Sequence, residues 1–363
     1  MNLDHTETQK LLRDTLRGFL EAEVPFAQVR ECEIERKTDT KLWAQIAEQG
    51  YLGLPFPSDI VGGGDGGLVE AGILVEEVAR RAAVVPIVEV IAAALTLQRK
   101  CDCPGAPAVV ENVLAGSAIV VPAVLEASDS FEDFALEADS EGILRGEKLY
   151  VDYAEAATHH LVVARDADGL ALYTVGTSDP AVKCEALTPM GRTPQSRVRY
   201  DGAAGKRAGG PDAVAYLIQV ARSLTCAQIL ACIDSSLEQT VAYTNVREQF
   251  GRPLATFQAV QHHAADMGMH AESSRFLVYE LLDCLERGSA TDEQIAIVKA
   301  SLSRAVPDVV MTGHQLHGGQ GYIEENDLYF FTIRGKDRAL AWGTAEECLE
   351  IVARSVEEKA RWL

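Results

Sequence analysis

The sequence predicts an α+β protein, mostly α, in three segments. An N-terminal α-helical domain covers residues 1–115, a central antiparallel β domain (barrel or sheet) covers 116–207, and a C-terminal four-helix bundle covers 208–363. Three observations predict this. Apolar residues recur at helical spacing before residue 115, short β-branched runs set off by glycines fill the middle, and the helical period returns from Ala213 onward. A chain of 363 residues also exceeds what one hydrophobic core usually serves.

In the first segment Leu11, Leu12, Leu16, Phe19 and Leu20 fall at helical spacing, and Leu42, Ile46 and Leu52 do so more loosely. A glycine-rich stretch follows, in which Gly62, Gly64 and Gly67 satisfy G-x-G-x-x-G literally. A dinucleotide fingerprint needs a preceding strand, whereas Pro55, Pro57 and Asp59 precede this one, so a tight turn between helices is expected. In the middle segment Ala118-Ile-Val-Val-Pro-Ala-Val, Leu161-Val-Val-Ala-Arg, Leu170-Ala-Leu-Tyr-Thr-Val and Arg197-Val-Arg-Tyr200 read as strands. The stretch 205–211 (GKRAGGP) reads as a linker. In the last segment Cys226, Leu230, Ile233, Leu237 and Val241 mark one long helix. Val260, Ala264, Met267, Ala271, Ser274, Val278 and Leu281 mark a second, with further helices near 292–310 and 345–362.

Charge and composition narrow the function. Fifty-four acidic against 33 basic residues give a net charge of −21, with no basic run to neutralise phosphates, so nucleic acid is not expected as a partner. The apolar stretch 82–95 is short of the about 20 residues a bilayer span needs and carries Pro86 and Glu89, so no membrane partner is expected either. The N-terminal residues show no signal-peptide pattern, and a cytoplasmic location is expected. Of eight cysteines only Cys101 and Cys103 are close, without a second ligand pair, so no metal site is expected and the thiols read as buried.

Two motifs carry the most information. One is Arg247-Glu-Gln-Phe-Gly-Arg-Pro-Leu254, continuing through Phe257-Gln-Ala-Val-Gln261 to Ala265-Asp-Met267. The other is Gln315-Leu-His-Gly-Gly-Gln-Gly-Tyr-Ile-Glu324. A guanidinium where a helix gives way to a loop suits a pyrophosphate, being planar and permanently charged. Paired glycines let backbone N–H groups approach an anion. Together these motifs resemble the acyl-CoA dehydrogenase flavoprotein family. Weaker echoes are Gly53-Leu-Pro, Leu144-Arg-Gly-Glu-Lys148 and Gly343-Thr-Ala-Glu346, so the resemblance spans nearly the whole chain.

The resemblance implies an acyl-CoA dehydrogenase-like fold and FAD as cofactor, the ADP half being that of a neighbouring subunit's flavin. It implies Arg247 and Gln315 at the phosphate and ribose, Phe250 and Gln258 on the adenine side, and Gly318 and Gly319 at a close backbone approach. The implied reaction is α,β-desaturation of an acyl-CoA thioester, with electron-transferring flavoprotein as acceptor. The sequence departs from that pattern where the chemistry would occur. Trp342 stands where most relatives have the catalytic Glu, and Ala221 stands at the alternative site beside Arg222. The family's flavin loop near residue 126 survives only as Glu126 and Ser128-Asp129, within a stretch of seven acidic residues from Glu126 to Glu141 that holds no Lys or Arg. Tyr150 replaces the Trp that packs on the flavin ring. This pattern resembles the non-catalytic (β-type) subunit of bacterial α2β2 acyl-CoA dehydrogenases, such as those of steroid side-chain degradation. A catalytic partner subunit and a bulky or steroid side-chain acyl group are therefore expected.

Two alternatives remain at the sequence level. An active homo-oligomer would use a relocated base, with Glu324, Glu325, Asp337 and Glu346 as the available acids. A flavin-free structural homologue would use none. His262 and His263 read as surface or interface residues, His317 as either cofactor-adjacent or packed, and His159-His160 as a strand edge.

Overall fold

The computed structural model describes residues 4–360. Eleven α-helices and nine strands follow in chain order. The first helices are α1 (Glu7–Glu23), α2 (Phe26–Glu35), α3 (Thr40–Glu48), α4 (Leu68–Arg80), α5 (Ile87–Lys100) and α6 (Ala106–Leu114). The strands β1 (Val120–Ala123), β2 (Glu137–Ala138), β3 (Ile143–Asp152), β4 (His159–Asp166), β5 (Gly169–Gly176), β6 (Val182–Ala186) and β7 (Gln195–Gly209) fill the middle. Then come α7 (Pro211–Val246), a hairpin of β8 (Glu248–Gln249) and β9 (Arg252–Pro253), α8 (Gln258–Glu286), α9 (Asp292–His317), α10 (Leu328–Leu340) and α11 (Ala345–Ala360). The helix–sheet–helix order follows the expectation, and the four C-terminal helices are joined by a fifth, α10. The expected end of the last helix at Trp362 lies outside the described residues.

Internal contacts divide the chain into two compact units, each discontinuous in sequence. One holds Ala27–Ala71 and Val84–Ala221; the other holds Met1–Phe26, Gly72–Ala83 and Arg222–Leu363.

In the sheet-bearing unit the strands run β1-β4-β2-β3-β7-β5, and β5 also pairs with β4, so the path closes into a ring. Closure satisfies strand edges that would otherwise stand open. Most pairings are antiparallel as expected, but β4 lies parallel to both β1 and β2. The expected linker at 205–211 is a further correction. Residues 205–209 continue β7, pairing with β5, because Gly205 fits where a side chain would meet Leu144 and Tyr173. Helix α5 is buried from Ile87 to Leu97 and packs on β1 and β7, as an apolar-all-round helix must.

The glycine-rich stretch is the expected inter-helix turn. A Cβ on Gly53 would stand 1.8 Å from the Gly62 oxygen, and one on Gly63 would stand 1.9 Å from the Pro57 oxygen. Backbone packs on backbone here, which only glycine permits.

In the helical unit α9 packs against α8, α10 and α11. An ion network ties its separate pieces together. Arg13 donates to Glu76 at 3.1 Å and to the Tyr279 hydroxyl at 3.0 Å. Arg17 forks onto Glu77 at 2.8 and 3.0 Å, and Arg275 donates to Asp234 at 2.8 Å. Burial still pushes Asp234 up to about 7, against the pull of Arg275. Leu16 and Leu20 are buried as expected, whereas Leu11 is 67% exposed and faces solvent. Helix α7, rather than 82–95, is the segment long and apolar enough to cross a membrane, and 83% of its apolar window is buried inside the protein.

All eight cysteines are free; Cys226, Cys232 and Cys348 are buried as expected, while the other five are half-buried. Among the described residues no group of three or more His, Cys, Asp or Glu is placed to hold a metal ion.

Candidate functional site

Helix α7 ends at Val246, and the next residues turn back at once. Leu254 N–H donates to the Arg247 carbonyl at 2.9 Å, closing a short hairpin. Its two-residue turn is Phe250 (φ 54°) and Gly251 (φ 79°). Positive φ at both positions matches the right-handed twist of a hairpin, yet for Phe it is strained. Phe250 is also 90% exposed. A large apolar side chain held in solvent by a strained backbone makes this hairpin a candidate for contact with a ligand. Phe257 meets Phe250 edge-on at 6.0 Å, and the Arg252 guanidinium lies 4.1 Å over the Phe257 ring. Sequence reasoning did not single out Arg252 or Phe257, although both lie inside the motif.

The second motif ends α9. Gly318 (φ 59°) caps the helix, its N–H bonding the Gln315 and His314 carbonyls. Nothing would meet a Cβ on Gly318 or Gly319, so the backbone there faces open space. The two motifs share a corner through His317. Its ring stacks on Tyr243 of α7 at 4.3 Å, Tyr243 OH donates to the His317 carbonyl at 3.3 Å, and its Nδ1 lies 2.8 Å from the Gly313 carbonyl. His317 is therefore packed, and burial pulls its pKa down. Arg247, Phe250, Gln258, Gln315, Gly318 and Gly319 are all exposed. His262 and His263 are exposed on the start of α8, and His263 and Gln315 line one cleft.

The two positions considered for a base hold none. Ala221 is buried. Trp342 is left-handed (φ 59°), and its carbonyl accepts from Arg222 Nε at 2.7 Å. Lys299, fully buried, donates to the Ala339 and Gly343 carbonyls at 2.8 and 2.9 Å and to Ser303 Oγ at 2.9 Å. Burial brings its pKa down to about 8. Two cations thus fix the backbone of residues 339–343. Of the nearby acids, Asp337 pairs with Arg338 at 2.6 Å. Glu347 accepts from Thr344 N–H at 2.7 Å, capping α11, and Glu324, Glu325 and Glu346 are exposed.

In the sheet-bearing unit Glu126 is an anchor. It accepts from the N–H groups of Ala135 (2.7 Å) and Leu136 (3.1 Å) and from buried Lys148 at 2.6 Å. Burial lowers the Lys148 pKa to about 8 despite that partner. Tyr150 is left-handed and 49% exposed. His160 is buried between the Tyr200 hydroxyl and the Ala154 carbonyl, at 3.0 and 3.2 Å.

Comparison with known families places this geometry. The acyl-CoA dehydrogenase N-terminal domain matches residues 6–99, and the acyl-CoA dehydrogenase C-terminal domain matches residues 208–357. The chain belongs to the acyl-CoA dehydrogenase family. Among acyl-CoA dehydrogenases of known sequence, FadE27 of Mycobacterium tuberculosis is 26% identical over 99% of both chains. Among solved structures, a variant of the Tcur3481-Tcur3483 steroid ACAD is 28% identical with a TM-score of 0.92, covering 98% of this chain and 99% of that one. The ChsE4-ChsE5 complex from Mycobacterium tuberculosis shares the fold at a TM-score of 0.91 and 24% identity, covering 99% of each chain. A glutaryl-CoA dehydrogenase from Mycobacterium smegmatis in complex with FADH2 does so at 0.90 and 20%, covering 97% of this chain and 95% of that one.

Proposed function

We propose that this chain is the non-catalytic subunit of a hetero-oligomeric, FAD-dependent acyl-CoA dehydrogenase. It holds the ADP half of a flavin whose ring and proton acceptor belong to a catalytic partner. The observation that carries the reading is the loop at Trp342. Its backbone is fixed by Arg222 and Lys299, and no carboxylate stands among residues 339–342. Dehydrogenation needs a base within hydrogen-bond reach of the substrate α-carbon, so this chain has to borrow one.

The residues present fit the nucleotide end of FAD. Arg247 would pair with the pyrophosphate, Gln315 would reach the ribose, and Gly318 and Gly319 offer backbone with no side chain in the way. Phe250, braced by Phe257, offers adenine a stacking face. When bound, the flavin supplies the hydride acceptor. The ring end does not fit the chain's own sheet-bearing unit: Glu126 is withdrawn into its pair with Lys148. The acidic stretch following it would repel phosphate.

Two of the similar solved structures are named as two-component assemblies, which supports an α2β2 arrangement. The steroid label on one supports a bulky acyl-CoA as substrate class. The three sequence segments 1–115, 116–207 and 208–363 remain our proposed domain organisation. The test is to purify the chain alone and with a co-expressed catalytic acyl-CoA dehydrogenase chain, then measure bound flavin and dye-coupled desaturation. Flavin and activity are expected only in the complex; activity of the isolated chain refutes the proposal.

A further inference from the structure

The end of α2 and the turn between β6 and β7, both in the sheet-bearing unit, enclose a cavity of about 260 Å³. Three features set it apart. Thr193 on its wall is 6% exposed, and its hydroxyl oxygen has no hydrogen-bond partner; a buried polar group left unpaired is destabilising. The charges on the wall are unevenly matched. Arg192 lies 3.9 Å from the buried Glu33, whereas the exposed Arg36 guanidinium makes no ion pair among the described residues. Both arginines are also left-handed, Arg36 at φ 53° and Arg192 at φ 55°. Residues with a Cβ rarely adopt that conformation, and here it sits at both edges of one cavity.

We propose that this cavity binds a small monocarboxylate with an apolar body. The carboxylate pairs with Arg36 and accepts the Thr193 proton, while the apolar body lies against Pro189 and Pro194. The wall carries Arg36, Arg192, Glu33 and Glu155; with Arg192 beside Glu33, Arg36 is the cation placed to meet one negative charge. Glu155, exposed at the rim, repels a second, so the site selects against dianions. The Thr193 hydroxyl is shielded from water, so seating the ligand requires side chains of the wall to move aside.

Benzoate is a suitable probe, followed by saturation-transfer and titration NMR on the full-length chain. Thr193→Val keeps the shape and removes an unpaired hydroxyl, so folding is preserved, and benzoate should bind about tenfold more weakly. Arg36→Gln should cost about tenfold or more, and Thr193→Ser should retain binding. Phthalate and inorganic phosphate should bind at least about tenfold more weakly than benzoate, and Glu155→Gln should narrow that gap. The proposal is overturned if millimolar benzoate shows no saturation transfer, if Thr193→Val binds as wild type does, or if phosphate binds as tightly as benzoate.

Discussion

Replacing Arg247 by Ala separates a nucleotide-binding role from a structural one. Its backbone N–H bonds the Tyr243 carbonyl at 2.9 Å, and its own carbonyl accepts from Leu254 at 2.9 Å. Both bonds survive the substitution, and the side chain is exposed. Stability should therefore change by no more than about 0.5 kcal/mol. The loss should appear in flavin binding. A charge-assisted bond to phosphate contributes about 1.5–3 kcal/mol. At about 1.4 kcal/mol per decade this is about 10- to 140-fold in affinity. The measurement is FAD titration of the flavin-stripped hetero-oligomer, alongside the flavin-to-protein ratio as purified. Arg247→Lys keeps the charge but loses the planar fork, so it should fall between wild type and Ala. Unchanged flavin affinity in Arg247→Ala would refute the assignment of this corner to the nucleotide.

Four further outcomes are expected. Glu126→Gln strands Lys148, fully buried, without its counter-charge and should cost about 3–5 kcal/mol in urea unfolding; adding Lys148→Met should recover part of that. Lys299 is held at about 8 against an unfolded value near 10.4, so the unfolded chain binds the extra proton between those limits. Wild-type stability relative to Lys299→Met should therefore rise by up to about 3 kcal/mol as pH climbs from 8 to beyond 10, measured as paired urea midpoints; no divergence would sink the assignment. Gly319→Ala meets open space and should leave thermal stability unchanged while weakening flavin binding. Gly53→Ala places a Cβ 1.8 Å from the Gly62 oxygen and should cost several kcal/mol, of the order of about 3 or more.

Much of the fold was legible because periodicity reports burial directly. The long helices α7, α8 and α9 follow from their apolar stripes, and the glycine turn follows from the prolines before it. Helix α10 was not read from the sequence. In the structure its Gly335 lets helices approach: a Cβ there would stand 2.6 Å from Val306 Cγ2. Lys299 gave no signal, and Lys148 showed only as the end of a family-like motif and not as a buried cation, since lysine is almost never fully buried unless paired and their partners lie far off in sequence. Glu126 was visible as a remnant of a flavin-contacting loop. Its two backbone donors and buried ammonium are long-range facts that no local pattern encodes. The parallel pairing of β4 was illegible for the same reason, because alternation shows which side of a strand is buried and not the direction of its neighbour.

The residues of the two motifs and those around Trp342 and Glu126 differ in what folding asks of them. Glu126, Lys148, Arg222 and Lys299 are buried and bonded, so packing alone explains them. The corner at Arg247 and Gly319 is the opposite case. Phe250 is almost wholly solvent-exposed on a left-handed backbone, which costs stability of order about 1–3 kcal/mol and gains no burial. Gly319 faces space that a small side chain could fill, whereas Gly318, left-handed at φ 59°, is the glycine that the end of α9 itself asks for. Folding does not ask for the exposed Phe250 or for Gly319, which supports the proposal that this corner meets a ligand. At Trp342 two cations, Arg222 and Lys299, grip a loop in which no acid stands among residues 339–342, which supports the proposed non-catalytic role. A chain under pressure to bind but not to abstract a proton would keep this combination, and a chain that turned over substrate by itself would not.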